Sequence, residues 1–264
     1  MKILIRGAGD IATGIALRLY RAGMQVVMTD LSAPTAIRRT VCFSQAIILG
    51  EMTVEDVTAR RAETPDQAEA LLAQGLIPVL ADADCTCRTH LRPDALVDAI
   101  LAKRNLGTKI DDAPIVVGIG PGFTAGEDCH AVVETMRGHT LGRVIYRGSA
   151  LPNTNIPGLI GGYAGERVLR APAEGIFCQK LEIGAVVRAG DIAGEVAGQP
   201  MRCTIGGVLR GILADGTPVL RGMKAGDVDP RCKPEYCTTA SDKALAVGGG
   251  VLEAVLHMHH QRRK

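Results

Sequence analysis

The sequence contains no tryptophan, and aromatic residues make up 3% of its 264 positions. Platforms that stack the bases of single-stranded nucleic acid need aromatic faces, so that class of function loses its main support. An excess of one charge is also missing: 30 Lys and Arg stand against 28 Asp and Glu, a formal net charge of +2. No broad polyanion-binding surface follows, and the terminal Gln261-Arg262-Arg263-Lys264 reads as a solvated helix end, so no nucleic-acid partner is expected. Apolar runs are short. None approaches the roughly 18 to 20 residues of a membrane helix, and Arg6 and Asp10 interrupt the first one, so neither a signal peptide nor a membrane partner is expected. The eight cysteines, at 42, 85, 87, 129, 178, 203, 232 and 237, lack the density of a disulfide framework and point to a reducing cytoplasm. Gly-x-Ser-x-Gly, His-Glu-x-x-His and Gly-x-x-x-x-Gly-Lys-Ser/Thr are all absent, which weakens the common hydrolase and phosphotransferase readings.

What is abundant is glycine, 32 residues in a chain that is 47% hydrophobic. At about 150 residues per domain, the length suits one large or two modest domains. The first thirty residues run strand (Lys2 to Ile5), glycine turn (Gly7-Ala8-Gly9), helix (Ala12 to Arg21), strand (Gln25 to Thr29), a βαβ unit by its periodicity. Further strands are predicted at 46–49, 77–81, 115–119, 131–134 and 143–146, with helices at 65–74 and 93–104. Such alternation predicts an α/β fold, a Rossmann-like, mainly parallel sheet with helices on both faces, over residues 1–165. The turn formers of 151–158 read as a connection between domains.

Past the connection the chain repeats itself. Gly175, Gly184, Val187 and Gly190 recur 32 positions later as Gly207, Gly216, Val219 and Gly222. A small β-domain over 166–240 with internal pseudo-symmetry is predicted. Its first copy resembles the barrel-sandwich fold of biotinyl and lipoyl domains, but the segment joining the copies, Gly198 to Arg202, has no lysine to carry a cofactor. The tail from Ser241 places Val251, Leu252, Val255 and Leu256 at helical spacing, giving an apolar face expected to pack back on the first domain.

Three constellations could carry chemistry. Gly7-Ala8-Gly9-Asp10-Ile11-Ala12-Thr13 lies between a strand and a helix, with Asp30 ending the next strand. Glycines there admit a diphosphate to the helix N-terminus, and an acidic residue about 20 positions on can accept ribose hydroxyls; a tight turn with a structural aspartate is the other reading. Arg38 and Arg39 follow, and guanidinium forks match phosphate oxygens. A second glycine turn, containing Gly120, Gly122, Phe123 and Thr124, follows the strand at 115–119. Loops at the carboxyl ends of parallel strands face the ligand crevice, so both turns are expected at one cleft. The third constellation holds Arg231, Cys237 and Lys243, where a cation beside a thiol would lower its pKa and make Cys237 a nucleophile. Cys85-x-Cys87 and Cys232-x4-Cys237 lack the usual zinc spacing, and no metal site is assigned.

Taken together, 5–14, 37–41, 102–107, Gly120-Pro121-Gly122-Phe123-Thr124-Ala125-Gly126, 134–139, Gly226-Asp227-Val228-Asp229-Pro230-Arg231 and Ser241-Asp242-Lys243-Ala244 resemble the YqeB family of the selenium-dependent molybdenum hydroxylase system. The resemblance covers almost the whole chain. It implies an accessory role in maturing those hydroxylases, with the hydroxylase and its maturation proteins as partners, and it leaves a homo-oligomer open. The cofactor expected is a nucleotide-type ligand, NAD(P) or molybdopterin dinucleotide, held between 7–13 and 120–126, with Asp30, Arg38 and Arg39 reading its polar ends. Cys237 would hold sulfur or selenium for insertion. Two alternatives stand: an NAD(P)-dependent oxidoreductase using Lys103, His130 or His139 as proton donor, and a non-catalytic docking chaperone.

Overall fold

The computed structural model describes residues 1–154 and 156–263. Asn155, in the expected connection, and Lys264, ending the basic tail, lie outside them. The chain divides into two compact units, one formed by Met1–Pro34, Cys42–Asn153 and Ala240–Lys264, the other by Thr35–Val41 and Thr154–Thr239.

In chain order the large unit contains β1 (Lys2–Arg6), α1 (Asp10–Arg21), β2 (Gln25–Asp30), α2 (Gln45–Leu49), β3 (Glu51–Val54), β4 (Val57–Ala62), α3 (Pro65–Ala73), β5 (Ile77–Ala81), α4 (Arg88–Leu91), β6 (Ala95–Asp98) and β7 (Ile115–Ile119). These are followed by β8 (Thr124–Ala125), β9 (Ala131–Val133), β10 (Val144–Ile145), β11 (Gly148–Ser149) and, at the end of the chain, α5 (Asp242–Arg262). Nine strands make one sheet in the order β10-β9-β7-β6-β1-β2-β5-β4-β3. All neighbours from β9 through β4 run parallel, and only the edge strands β10 and β3 pair antiparallel. The molecule is thus a mixed α/β protein with a large, mostly parallel sheet. β1, β6 and β7 are parallel neighbours, so the turns that follow them emerge at one end of the sheet, as expected for the two glycine-rich turns.

Continuous apolar runs explain the central strands. Ile3, Leu4 and Ile5 are fully buried, as are Val116 and Val117, which is the mark of strands covered on both faces. α1 and α5 pack closely because glycine faces small residues: a Cβ on Gly14 would lie 2.5 Å from that of Ala244, and one on Gly248 would lie 2.8 Å from the Gly14 carbonyl oxygen. Gly248-Gly249-Gly250 therefore sits inside one continuous helix and does not interrupt it. The tail does pack on the unit that contains α1.

Two expectations fail in this unit. Residues 46–49 form a helix, closed by Gly50 at φ 85°, because a four-residue apolar run has no period of its own to separate strand from helix. Residues 93–104 form the buried strand β6 and then an irregular segment, with Leu101 and Lys103 at φ 57° and 65°. Left-handed backbone at two non-glycine residues is incompatible with a helix. The hairpin β3–β4 was not anticipated.

In the small unit the strands are β12 (Val168–Arg170), β13 (Gly175–Gln179), β14 (Val186–Val187), β15 (Ile192–Val196), β16 (Gln199–Arg202), β17 (Gly207–Ile212), β18 (Pro218–Val219) and β19 (Lys224–Asp229). They form two four-stranded sheets, β12-β19-β17-β14 and β16-β15-β13-β18. The 32-residue repeat is structural. β13, β14 and β15 begin 32 positions before β17, β18 and β19, and the cross-pairs exchange in register: Gly175 faces Val219, and Gly207 faces Val187. Phe177, Val196, Leu209, Ile212 and Val228 fill the core of this unit. Among the described residues no helix is long and apolar enough to cross a membrane.

Candidate functional site

The turn after β1 forms because Gly7 adopts φ 106°, and a Cβ there would lie 2.9 Å from the carbonyl carbon and oxygen of Ala99. The Gly7 N–H donates to the Thr29 carbonyl at 2.7 Å, and the Ala8 N–H to Asp30 Oδ2 at 2.7 Å. Asp30 Oδ1 accepts the Leu31 N–H at 2.8 Å. Burial pushes the Asp30 carboxyl up, against the two backbone N–H groups that favour its ionised form. Each oxygen keeps a second lone pair, so a ribose diol can still be accepted.

Gly9 is different. It caps α1 in extended conformation, φ −70° and ψ −173°, and a Cβ added there would meet nothing within 4 Å. Open space over a helix N-terminus is where an anion is stabilised by the helix dipole. Asp10 lies in the same first turn and accepts the Ile11 N–H at 2.8 Å. Ile11 and Ala12 turn into the core, and Thr13 is fully buried, bridging the Ala8 carbonyl at 3.3 Å and the Phe43 N–H at 2.9 Å. Those three side chains build the turn and do not face a ligand.

The second glycine turn is accounted for by packing. A Cβ on Gly122, at φ 109°, would lie 2.6 Å from the Arg104 backbone, and one on Gly120, at φ 76°, 2.6 Å from Thr135 Oγ1. The Gly120 N–H donates to the Val133 carbonyl at 2.9 Å. Phe123 belongs to the core cluster, its ring lying where a Gly118 side chain would be. Thr124 bonds Asp128 through its N–H at 2.8 Å and Ser149 through its hydroxyl at 3.0 Å. The N–H groups of Gly120 and Thr124 are therefore engaged within the protein. Gly7 rests on Ala99 and Gly122 on Arg104, so both turns grip the segment after β6, and that segment carries Lys103.

Lys103 and Lys243 supply the positive charge here. Among the described residues neither ammonium group has a hydrogen bond or ion pair. Burial lowers the Lys243 pKa, and the charges of Lys103 and Arg137 lower it further, against Asp10 and Glu134. Partial enclosure lowers that of Lys103. Arg137 grips Asp242 with two bonds of 2.8 and 3.0 Å, fixing the start of α5. Glu134 is buried and accepts the N–H groups of Thr135, Met136 and Leu151. His130 Nδ1 accepts the Val116 N–H at 3.0 Å, and burial lowers its pKa, with Arg262 adding to the effect.

The remaining expected residues lie in the small unit and serve structure. Arg38 donates to the carbonyls of Tyr236 and Thr239, and Arg39 to the Ile212 carbonyl at 3.0 Å and to Gln179 at 2.8 Å. Arg231 pairs with Asp229 at 2.6 Å and lies over the Tyr236 ring. Cys237 is 4% exposed, and burial pushes its thiol up, outweighing the charges of Arg38 and Arg210. The low-pKa nucleophile expected at this position is therefore corrected. Among the described residues no three His, Cys, Asp or Glu gather to hold a metal ion.

A buried polar knot beside β1 was missed in the sequence. Arg6 donates to Asp98 at 3.4 Å and Thr108 at 3.1 Å, and Thr108 donates to Asp98 at 2.5 Å. Burial pushes the Asp98 carboxyl up. An arginine inside a buried parallel strand was the available signal, since such a charge needs a partner.

These features define an α/β chain with an open glycine cap at Gly9 and two lysines, Lys103 and Lys243, that have no hydrogen bond or ion pair among the described residues. The chain is 51% identical over 259 residues, 98% of its length, to a protein of Escherichia coli (strain K12) named "Uncharacterized protein YqeB", which supports the YqeB resemblance. It spans 48% of that relative's length. No family model matches. Among solved structures, the chain is similar to the apo ectoine utilization protein EutE (DoeB) from Ruegeria pomeroyi, with 20% identity over 32% of this chain and 28% of that one at TM-score 0.23. It is also similar to an aspartoacylase family protein from Mesorhizobium loti, with 12% identity over 55% and 60% at TM-score 0.24. Overlap this weak carries no argument about fold or chemistry.

Proposed function

We propose that the large unit binds a diphosphate-bearing cofactor, a nucleotide or the dinucleotide form of molybdopterin, in the maturation of selenium-dependent molybdenum hydroxylases. The observation that carries the binding step is the pairing of an open cap at Gly9 with two ammonium groups, Lys103 and Lys243, that have no hydrogen bond or ion pair among the described residues; burial and the charge of Lys103 lower the Lys243 pKa against Asp10 and Glu134. Like charges held together in a folded protein are relieved by an anion. In this reading the diphosphate lies over Gly9, Lys243 and Lys103 neutralise it, and Asp30 accepts a ribose diol. The maturation pathway rests on the YqeB resemblance alone; the likeness to the Escherichia coli relative supports the family. We read the small unit as a barrel-sandwich module that docks the partner hydroxylase. Cys237, buried and pushed toward its protonated form, has no part in the proposal.

The test is mass spectrometry of the small molecule that co-purifies with the native protein, followed by titration of the emptied protein. A dinucleotide or pterin dinucleotide, with weaker binding in Gly9→Asp, is the expected result. No retained anion, and no affinity for any diphosphate ligand offered, sinks the reading. Recovery of a nicotinamide dinucleotide together with turnover in an absorbance assay moves it to the oxidoreductase alternative.

A further inference from the structure

A second feature of the large unit is independent of the diphosphate reading. β5 ends at Ala81, and the turn after it, Asp82 to Cys87, is held by its own aspartate. Asp82 Oδ2 accepts the Cys87 N–H at 2.8 Å, Oδ1 accepts the Thr86 hydroxyl at 3.1 Å, and the Asp82 carbonyl accepts the Cys85 N–H at 3.1 Å. Two arginines pin it from outside, Arg6 on the Ala83 carbonyl at 3.2 Å and Arg88 on the Cys85 carbonyl at 3.0 Å. Within this turn Cys85 adopts φ 56°, a left-handed conformation that costs a non-glycine residue energy and that clusters at functional sites. Cys85 borders a cavity of about 190 Å³ whose other walls include Arg6, Arg88, Leu96, Leu106 and Thr108. Nothing in the diphosphate reading uses these residues.

We propose that Cys85 and Cys87 are a redox-active thiol pair served by this cavity: Cys85 attacks one sulfur of a small disulfide admitted there, and Cys87 resolves the mixed disulfide. The first step forms a bond from the Cys85 sulfur to one substrate sulfur and breaks the substrate S–S bond. The departing sulfur leaves with the electron pair and takes the proton of Cys87. The Cys87 thiolate then attacks the Cys85 sulfur and expels the second half as a thiolate, which takes up from solvent the proton that Cys85 released before its attack. The substrate disulfide gains two electrons and becomes two thiols, while the pair loses two and becomes one disulfide. A cellular dithiol reductant restores it by the same exchange in reverse.

The two thiols differ in access: Cys85 lines the cavity and Cys87 does not. The neighbouring Cys87 thiol and the Arg6 charge hold the Cys85 thiol below its ordinary value against burial. Cys87 is held above it by the same contact with Cys85 and by burial. Cys129, also buried, is pushed up to about 11 by burial, so burial alone does not produce the effect at Cys85. The rigid turn sets Cys85 on the cavity wall, and a cavity this size takes one half of a small disulfide.

The test uses the full native chain, reduced and then exposed to 2-hydroxyethyl disulfide, with acid quenching and site-resolved alkylation read by peptide mass. The expected result is loss of two hydrogens in the peptide containing Cys85 and Cys87. In Cys87→Ser the hydroxyethyl adduct accumulates on Cys85, and in Cys85→Ser no adduct forms on Cys87. Leu106→Trp, a change at a half-exposed wall residue, slows reaction at Cys85 by about tenfold through lost access without changing that of the exposed Cys232. The proposal is overturned if Cys85 and Cys87 stay reduced while Cys232 or Cys178 reacts, or if the trapped adduct sits on Cys87. The wild-type peptide map decides the first point even if a variant fails to fold.

Discussion

Both units pair buried charges, but the large unit also holds two lysines that have no hydrogen bond or ion pair among the described residues. In the small unit buried carboxylates and guanidinium groups alternate: Asp227 lies between Arg167 at 2.9 Å and Arg210 at 2.5 Å, and Asp229 between Arg210 at 3.2 Å and Arg231 at 2.6 Å. Each charge is answered, and the network links β17 and β19 to the residues before β12. In the large unit Lys103 and Lys243 lie near each other, each with a lowered pKa. Glycines differ in the same sense. Gly207 is required because a side chain would collide with the Asp229 carbonyl, whereas Gly9 faces open space. Charges neutralised within the protein hold a scaffold together, and charges left for something else mark a binding site.

The largest effect tests the small unit. Asp227→Ala leaves Arg167 and Arg210, both buried, without their shared carboxylate, and breaking a buried pair from one side typically costs about 3 to 5 kcal/mol. Urea denaturation should show a loss of that order. A loss under about 1 kcal/mol would mean the network is ornamental, and the contrast between the units would fail. Acid should act in the same direction: burial opposes ionisation of Asp229, but bonds from Arg231 and the charge of Arg210 hold its carboxyl below the usual range. The stability it contributes is present above its unfolded-state pKa and lost as pH falls through the folded value.

Next in size is a pair of glycine substitutions that separates fold from ligand. Gly7→Ala places a Cβ 2.9 Å from the Ala99 backbone at φ 106° and should destabilise the protein by about 1 to 3 kcal/mol, the usual range for overpacking. Gly9→Ala meets open space at an ordinary φ. Thermal unfolding should hardly move, while affinity for a diphosphate ligand falls as the methyl enters its place. Equal effects of the two substitutions on stability would remove Gly9 from the site.

Much of this architecture was legible in sequence. β5 and β7 match their predicted bounds, because each is a short apolar run, rich in Val and Ile and bounded by turn formers. The 32-residue repeat returned as an exchange of strand pairs, since glycines with positive φ recur wherever the same turn recurs. The site was harder to see. Gly120 and Gly122 have the residue types of a phosphate loop, but what they face is set by Thr135 and Arg104, contacts that no local pattern encodes. Lys103 and Lys243 are 140 positions apart in sequence, and only the packing of α5 on α1 through Gly14 and Ala244 brings their neighbourhoods together. Arg38 and Arg39 look like phosphate readers beside Asp30 but belong to the small unit.

The smaller effects concern the lysines. Lys243→Met removes one charge-assisted contact, about 1.5 to 3 kcal/mol, so diphosphate affinity should fall about tenfold or more. The fold should remain as stable or gain slightly, because the ammonium is held there against burial and against Lys103.

The subtlest test is the pH dependence of binding. A bound dianion favours the charged form of Lys243 and raises its pKa again, so binding takes up a proton wherever pH exceeds the lowered value of the free protein. Affinity should therefore decline as pH rises through that value, by less than the loss seen in Lys243→Met, since Lys103 still contributes. Calorimetry in two buffers of different ionisation enthalpy would detect the proton uptake directly. In Lys243→Met the uptake should shrink to what Lys103 alone provides. An unchanged uptake would assign the linkage to another group and leave Lys243 as no more than a buried end of α5.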